Sequence, residues 1–64
     1  MIKEGDKIKL STGEIALISE ILEENVAYIA EIFKNGGGVS IEQISHQDIV
    51  SVFDEVERPL AKAM

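Results

Sequence analysis

Apolar and polar residues alternate along much of this chain with the period of two that is typical of β-strands. The segment Lys7-Ile8-Lys9-Leu10 alternates strictly, and short polar or glycine-rich stretches separate the apolar runs that follow it. The pattern predicts five strands, at Asp6–Leu10, Ile15–Leu22, Val26–Phe33, Val39–Ser45 and Ile49–Phe53. Five short strands spaced about ten residues apart indicate an all-β fold, a small closed or half-closed barrel.

Turn-forming residues lie between these predicted strands. Gly13 can adopt the positive φ that a tight turn between the first two strands needs. Glu23–Asn25 is a polar turn, and Asn35-Gly36-Gly37-Gly38 is the strongest turn signal in the chain. His46–Asp48 suits a single 3₁₀ turn, with the Asp48 carboxylate as its cap.

Residues 14–33 also fit a second interpretation, one amphipathic helix of about twenty residues. Six apolar residues fall close to helical spacing: Ile15, Ile18, Leu22, Val26, Ile29 and Phe33. Isoleucine and valine number fifteen in the chain, against four leucines and five alanines, and this bias favours strands. A helix would also be apolar on nearly every side, because Leu17, Ile21 and Ile32 lie outside the periodic set. We therefore prefer two strands for this segment.

The length of 64 residues allows one domain. We assign residues 1–53 to the barrel and residues 54–64 to a C-terminal tail, in which Pro59 is placed to begin a short helical turn. The tail either frays or docks on the barrel through Val56 and Leu60. A chain of this size buries only about 60% of its unfolded surface. Since it also lacks cysteine, its stability depends on its apolar core, on self-association or on a partner.

Twelve acidic residues against six basic ones give a net charge of −6, and residues 11–33 contain five acids and no base. Nucleic-acid partners need a clustered basic surface, so this distribution disfavours them and favours a basic protein surface. No uncharged stretch is long enough for a membrane helix, and the first residues do not form a signal peptide. With no cysteine, the expected location is the cytoplasm.

Two segments resemble a known family of small barrels. They are Gly5-Asp6-Lys7-Ile8-Lys9-Leu10, followed by the stretch from Gly13 to Ile21, and Ile44-Ser45-His46-Gln47-Asp48-Ile49. The first resembles the opening of Src-homology-3-like barrels of the KOW and translation-protein type, and the second resembles the 3₁₀ turn before their closing strand. Over residues 5–53 the chain is similar to small bacterial barrel proteins found on mobile elements. The resemblance implies a Src-homology-3-like barrel and, as an alternative function, binding to nucleic acid or to the transcription or translation apparatus.

Candidate chemistry in the sequence is sparse. His46 is the only histidine, and Asp48 is the nearest acid in sequence, which is too little to predict a general base or a metal ligand. The acidic cluster Glu20, Glu23 and Glu24 lacks the spacing of a calcium loop and is typical of a solvated face. The Gly36–Gly38 triplet is followed by a predicted strand, so a hairpin turn is favoured over a phosphate loop. We expect no catalytic, cofactor or metal site, and no enzyme activity.

The most informative feature is a surplus of apolar residues, because the second and third strands are apolar on both faces. A small barrel has one interior, so the other face is expected to be an interface. Its anchors are Ile15, Leu17, Ile29 and Phe33. The cover is a second copy, the tail or another protein.

The sequence thus predicts a non-catalytic protein-interaction module, a small acidic accessory or regulatory protein that binds a protein partner or self-associates. One alternative is a KOW-type module that binds nucleic acid through a weak basic edge of Lys3, Lys7, Lys9 and Lys34. The other alternative is an acidic mimic of nucleic acid.

Overall fold

A computed structural model describes residues 2–53 of the chain. The elements follow in the order β1 (Lys7–Leu10), β2 (Ile15–Glu23), β3 (Ala27–Phe33), β4 (Val39–Ser45), a 3₁₀ turn (His46–Asp48) and β5 (Ile49–Val52). This confirms the all-β prediction, and β4 and the 3₁₀ turn have the predicted bounds. The single helix over residues 14–33 is wrong, because β2 and β3 pair with each other across that segment.

The five strands form one antiparallel sheet in the order β4-β3-β2-β1-β5. The first four strands are successive hairpins, and β5 returns to pair with β1. Within residues 2–53 the sheet does not close into a complete barrel, since β4 and β5 form its two edges. The architecture is therefore a five-stranded, barrel-like sheet. The predicted behaviour of the tail lies outside the described residues.

One face of this sheet carries the core. The buried residues are Ile2, Ile8, Leu10, Ala16, Ile18, Tyr28, Ala30, Ile32 and Ile44. All except Ile2 belong to strands, so the sheet curls around its own side chains. Small and large residues alternate across the central pair of strands, where Ala16 lies opposite Ile32 and Ala30 lies opposite Ile18. Such pairing of small with large side chains suits a narrow, close-packed interior.

The turns follow the residue types that the backbone requires. Gly13 has a φ of 95°, and its N–H donates to the Leu10 carbonyl at 2.8 Å to close the β1–β2 turn. Asn25 adopts a φ of 65° in the β2–β3 turn, where asparagine tolerates the left-handed region. In the β3–β4 turn Gly36 and Gly37 both have positive φ, which confirms the hairpin prediction for the glycine triplet.

Strand β2 contains two β-bulges that the sequence pattern did not predict. Ser19 and Leu22 have no partner in β3, because the register steps from Ile18 to Glu20 and again from Ile21 to Glu23. Each extra residue restarts the alternation of side chains. Ile21 therefore pairs with the buried Tyr28 and packs against the core. The bulges keep apolar side chains on the inner side even though strict alternation is lost.

Candidate interaction surface

The outer face of the sheet, defined as the face opposite the core, carries the four predicted anchors. Ile15 and Leu17 alternate with buried residues along β2, and Ile29 and Phe33 do so along β3. The register brings Ile15 directly opposite Phe33. Phe33 is 40% exposed, and the other three anchors are half-buried. All four thus lie on one face.

Strand β4 extends this face with two residues that the sequence interpretation did not include among the anchors. Val39 pairs with Phe33 and is 56% exposed, while Ile41 pairs with Glu31 and is 69% exposed. Ile15, Phe33 and Val39 therefore form a continuous apolar row across three strands. Val39 and Ile41 are two residues apart in β4 and so lie on the same side of the strand. Only the register shows that this side adjoins Phe33.

Charged residues border and interrupt the apolar row. Lys9 pairs with Ile15 and Lys7 pairs with Leu17, so β1 places two lysines at one margin of the outer face. The Lys7 ammonium lies 5.4 Å from the centre of the Phe53 ring, within the range of a cation–π interaction. Glu31 lies between Leu17 and Ile41 in the neighbouring row. The surface therefore combines exposed apolar side chains with charges of both signs.

A small ionic cluster joins the β1–β2 turn, the β3–β4 turn and β4. Lys34 Nζ donates to Glu14 Oε2 at 3.0 Å and lies 3.8 Å from Glu42 Oε2. The Thr12 hydroxyl also donates to Glu14, at 2.9 Å. Hydrogen bonds from Lys34 and Thr12 hold the pKa of Glu14 below its usual range, and the bond to Glu14 raises the pKa of Lys34. The positive charge of Lys34 is thus paired with the carboxylates of Glu14 and Glu42.

The single histidine has a structural partner that the sequence did not reveal. Tyr28 is fully buried, and its hydroxyl forms a 2.7 Å hydrogen bond with His46 Nδ1. The two rings are tilted by 42° with their centres 5.9 Å apart. A buried phenol needs such a partner, because an unpaired hydroxyl in the core is costly. His46 therefore fixes the 3₁₀ turn to β3.

Asp48 does not serve as a partner of His46 among the described residues. Its carboxylate accepts the Ser45 backbone N–H at 3.1 Å, and its backbone carbonyl accepts the Ser11 N–H at 2.8 Å. This confirms the prediction that Asp48 caps the 3₁₀ turn. Beside the turn lies a depression of about 250 Å³, lined by Asn25, Val26, His46 and Gln47. Among the residues of that lining that the structure describes, His46 is the only one with a titratable side chain.

A second cleft of about 210 Å³ opens on the inner side, between the β1–β2 turn and β4. Leu10, Ile32 and Ile44 contribute apolar lining, and Glu14, Glu42 and Asp48 contribute carboxylates. No group of three histidine, aspartate or glutamate side chains in residues 2–53 has the geometry to hold a metal ion.

Comparison of the chain with known protein families, curated proteins and solved structures gives no significant match. In the described part of the chain, no helix is long and apolar enough to cross a membrane.

Proposed function

We propose that this chain is a non-catalytic protein-interaction module that binds through the outer face of β2, β3 and β4. The observation that carries the proposal is the apolar row of Ile15, Phe33 and Val39, which continues across three strands. Single exposed apolar residues are common on protein surfaces, whereas contiguous ones usually mark an interface. The partner is a protein, either a second copy of this chain or another molecule.

The charge distribution favours a partner with a basic surface. The chain carries a net charge of −6, and Glu20 and Glu31 pair with the anchors Ile29 and Leu17. Acidic groups at the margin of an apolar patch steer basic proteins toward it and repel nucleic acid. An apolar row flanked by acidic residues suits a small accessory or regulatory protein that binds a basic protein surface.

We also propose that the fold is a Src-homology-3-like barrel, as the sequence resemblance implies. Two features support it: the five-stranded antiparallel order, in which the last strand pairs with the first, and the 3₁₀ turn that directly precedes β5. Such barrels are widely used as binding modules, but a fold alone does not assign a partner. The absence of cysteine fits a reducing compartment such as the bacterial cytoplasm.

Site-specific photocross-linking in cells of the source organism tests this function. A photoreactive phenylalanine analogue replaces Phe33 in one variant and Thr12, an exposed turn residue, in the matched control. We expect a discrete protein adduct from position 33 and none from position 12. A further Leu17→Ser substitution should weaken the adduct, because it removes a neighbouring apolar anchor. The absence of any protein adduct at position 33 would contradict the proposal.

A second candidate function, nucleic-acid binding, is favoured by one observation, the placement of Lys7 and Lys9 side by side on the outer margin of β1. Of the two remaining lysines of the predicted basic edge, Lys3 and Lys34, the second is engaged by Glu14 and Glu42. Phosphate contacts would give binding that weakens steeply with salt. Titration of a fluorescent DNA or RNA oligonucleotide at low and high salt separates the two functions. Salt-sensitive binding that Lys7→Gln and Lys9→Gln abolish would favour this second candidate.

A further inference from the structure

Among residues 2–53, the backbone of β4 presents an ordered set of N–H and C=O groups without a partner at the sheet edge. In an antiparallel ladder, hydrogen-bonded residue pairs alternate with non-hydrogen-bonded pairs. Both ends of the β3–β4 ladder are fixed, because Lys34 N–H donates to the Gly38 carbonyl and His46 N–H donates to the Val26 carbonyl. The register between these ends has no shift. Even-numbered residues of β4 therefore bond to β3, and odd-numbered residues direct their N–H and C=O groups to the open edge.

The open segment of this edge has clear limits. At its C-terminal end, Ser45 N–H is already accepted by the Asp48 carboxylate at 3.1 Å. At its N-terminal end, β4 begins at Val39, directly after the β3–β4 turn. Three residues remain with both backbone groups directed outward: Val39, Ile41 and Gln43. All three are exposed, and Ile41 is the midpoint of the set.

We propose that this edge binds a second copy of the chain, with the two β4 strands antiparallel about a two-fold axis at Ile41. Ile41 then pairs with the partner's Ile41, and Val39 pairs with the partner's Gln43. Each of these is a hydrogen-bonded pair, so the three open residues of each copy exchange all their outward N–H and C=O groups. The arrangement joins two five-stranded sheets into one continuous sheet.

Charge favours the register centred on Ile41 over the register centred on Glu42. Centring the axis on Glu42 would place Glu42 directly opposite the partner's Glu42 in a close, non-hydrogen-bonded pair, and like charges there are destabilising. In that register Gln43 would face the partner's Ile41. Val39 would face the partner's Ser45, whose N–H already donates to the Asp48 carboxylate. With the axis at Ile41, the residue opposite Glu42 is the partner's Ser40, an uncharged residue whose hydroxyl donates to Glu42 of its own chain at 2.7 Å, so no like charges face each other. The register centred on Ile41 therefore avoids the like-charge contact that the register centred on Glu42 would create.

The other edge of the sheet lacks these properties. β5 has four residues, and its pairing with β1 is interrupted because Val50 has no partner between Ile49 and Ser51. Bulged and short edges resist strand addition, whereas β4 is regular over seven paired residues. Val39 and Ile41 belong to the outer apolar face as well as to this edge, but the inference rests on the backbone groups of β4, and the disulfide register tests it separately from binding by the outer face. Either can fail while the other stands.

Single cysteines test the proposed register, since the chain has no cysteine of its own. The Cα atoms of a hydrogen-bonded antiparallel pair lie about 5.5 Å apart, within the range of a disulfide. In a glutathione redox buffer, we expect Ile41→Cys to form a covalent dimer at least about tenfold faster than Val39→Cys or Gln43→Cys alone. A mixture of the Val39→Cys and Gln43→Cys chains should form the mixed disulfide instead. Equal rates for all three single variants would overturn the register.

The mass of the full chain tests the association itself. Because a single strand pair makes a small interface, sedimentation equilibrium should span about 10 µM to about 1 mM. We expect the mass to rise from that of one chain toward that of two, and Ile41→Lys to remain monomeric. Val50→Lys, at the other edge, is the matched control and should behave like the parent chain. Added salt should strengthen the dimer, since each copy carries a charge of −6. A parent chain that stays monomeric throughout overturns the proposal.

Discussion

The two faces of β2 and β3 are built from the same kinds of residue but lie in different surroundings. On the inner face Ala16, Ile18 and Ala30 are almost fully buried, whereas on the outer face Leu17 is half-buried and Phe33 is 40% exposed. Neighbours in the sequence thus alternate between a core and a water-facing surface. Apolar character alone therefore does not distinguish residues that hold the fold from residues available to a partner, and substitutions on the two faces should have separable effects.

The largest expected effect comes from truncating the inner face. Ile18→Ala should lower the free energy of unfolding by about 2–5 kcal/mol, because it removes buried methyl groups and leaves a cavity. The neighbouring Leu17→Ala on the outer face should cost less than about 1.5 kcal/mol, since that side chain is only half-buried. Urea unfolding followed by circular dichroism measures both. Equal losses for the two variants would remove the distinction between the faces.

The hydrogen bond between Tyr28 and His46 is the polar exception of the inner face, and its loss should have the next largest effect. His46→Ala leaves the Tyr28 hydroxyl without its partner and should cost about 1–3 kcal/mol. Tyr28→Phe removes the hydroxyl as well and should cost about 0.5–1.5 kcal/mol.

The double variant separates this bond from general packing. If the bond accounts for the loss, adding His46→Ala to Tyr28→Phe should have little further effect. Urea unfolding of all four chains gives the coupling free energy. Additive losses in the double variant would show that His46 acts by some route other than the Tyr28 hydroxyl.

The smallest effect is expected at the ionic cluster of Glu14 and Lys34, where both side chains are partly exposed. The lowered pKa of Glu14 means that its stabilising contribution is present at neutral pH. That contribution is lost as the pH falls through the lowered folded-state pKa, because the unfolded chain binds the proton more readily. The pKa of Lys34 is raised, so its stabilising contribution to folding is also present at neutral pH. That contribution is lost only at strongly alkaline pH, where the folded chain releases the proton.

Unfolding measured at neutral and at acidic pH tests this direction. The difference between the parent chain and Glu14→Gln should shrink as the pH falls. Glu24→Gln, in the exposed β2–β3 turn, is the control for a simple change in net charge. A difference for Glu14→Gln that grows toward acidic pH would contradict the assignment of the ion pair.

Local patterns in the sequence were enough to predict most of the secondary structure. Alternation and turn residues gave the bounds of β4 and the 3₁₀ turn, and placed the limits of the other strands within one residue. The positive φ of Gly13 was also predictable, because glycine before a strand permits that turn. Each of these features is determined by a few adjacent residues, so the local sequence is enough to predict it.

Features that depend on pairing between distant residues were not predictable. The bulges at Ser19 and Leu22 arise only when β2 is aligned with β3, and the bond from Tyr28 joins a strand to a turn that is distant in sequence. The four anchors were predicted to share one face, and the structure places them there. That Val39 adjoins them follows from the β3–β4 register, which no local pattern specifies.

The strand order also has a consequence for the time course of folding. The hairpins β1–β2, β2–β3 and β3–β4 each join segments that are adjacent in the chain, but β5 reaches β1 only after the whole meander has been made. Closing a long loop costs more entropy than closing a tight turn, and contacts between distant residues form more slowly. We therefore expect β5 to dock last and to open first. Amide hydrogen exchange would then show the weakest protection in β5 and the strongest in β2 and β3. The sheet is thus assembled from its centre, and its final strand is a late and reversible addition.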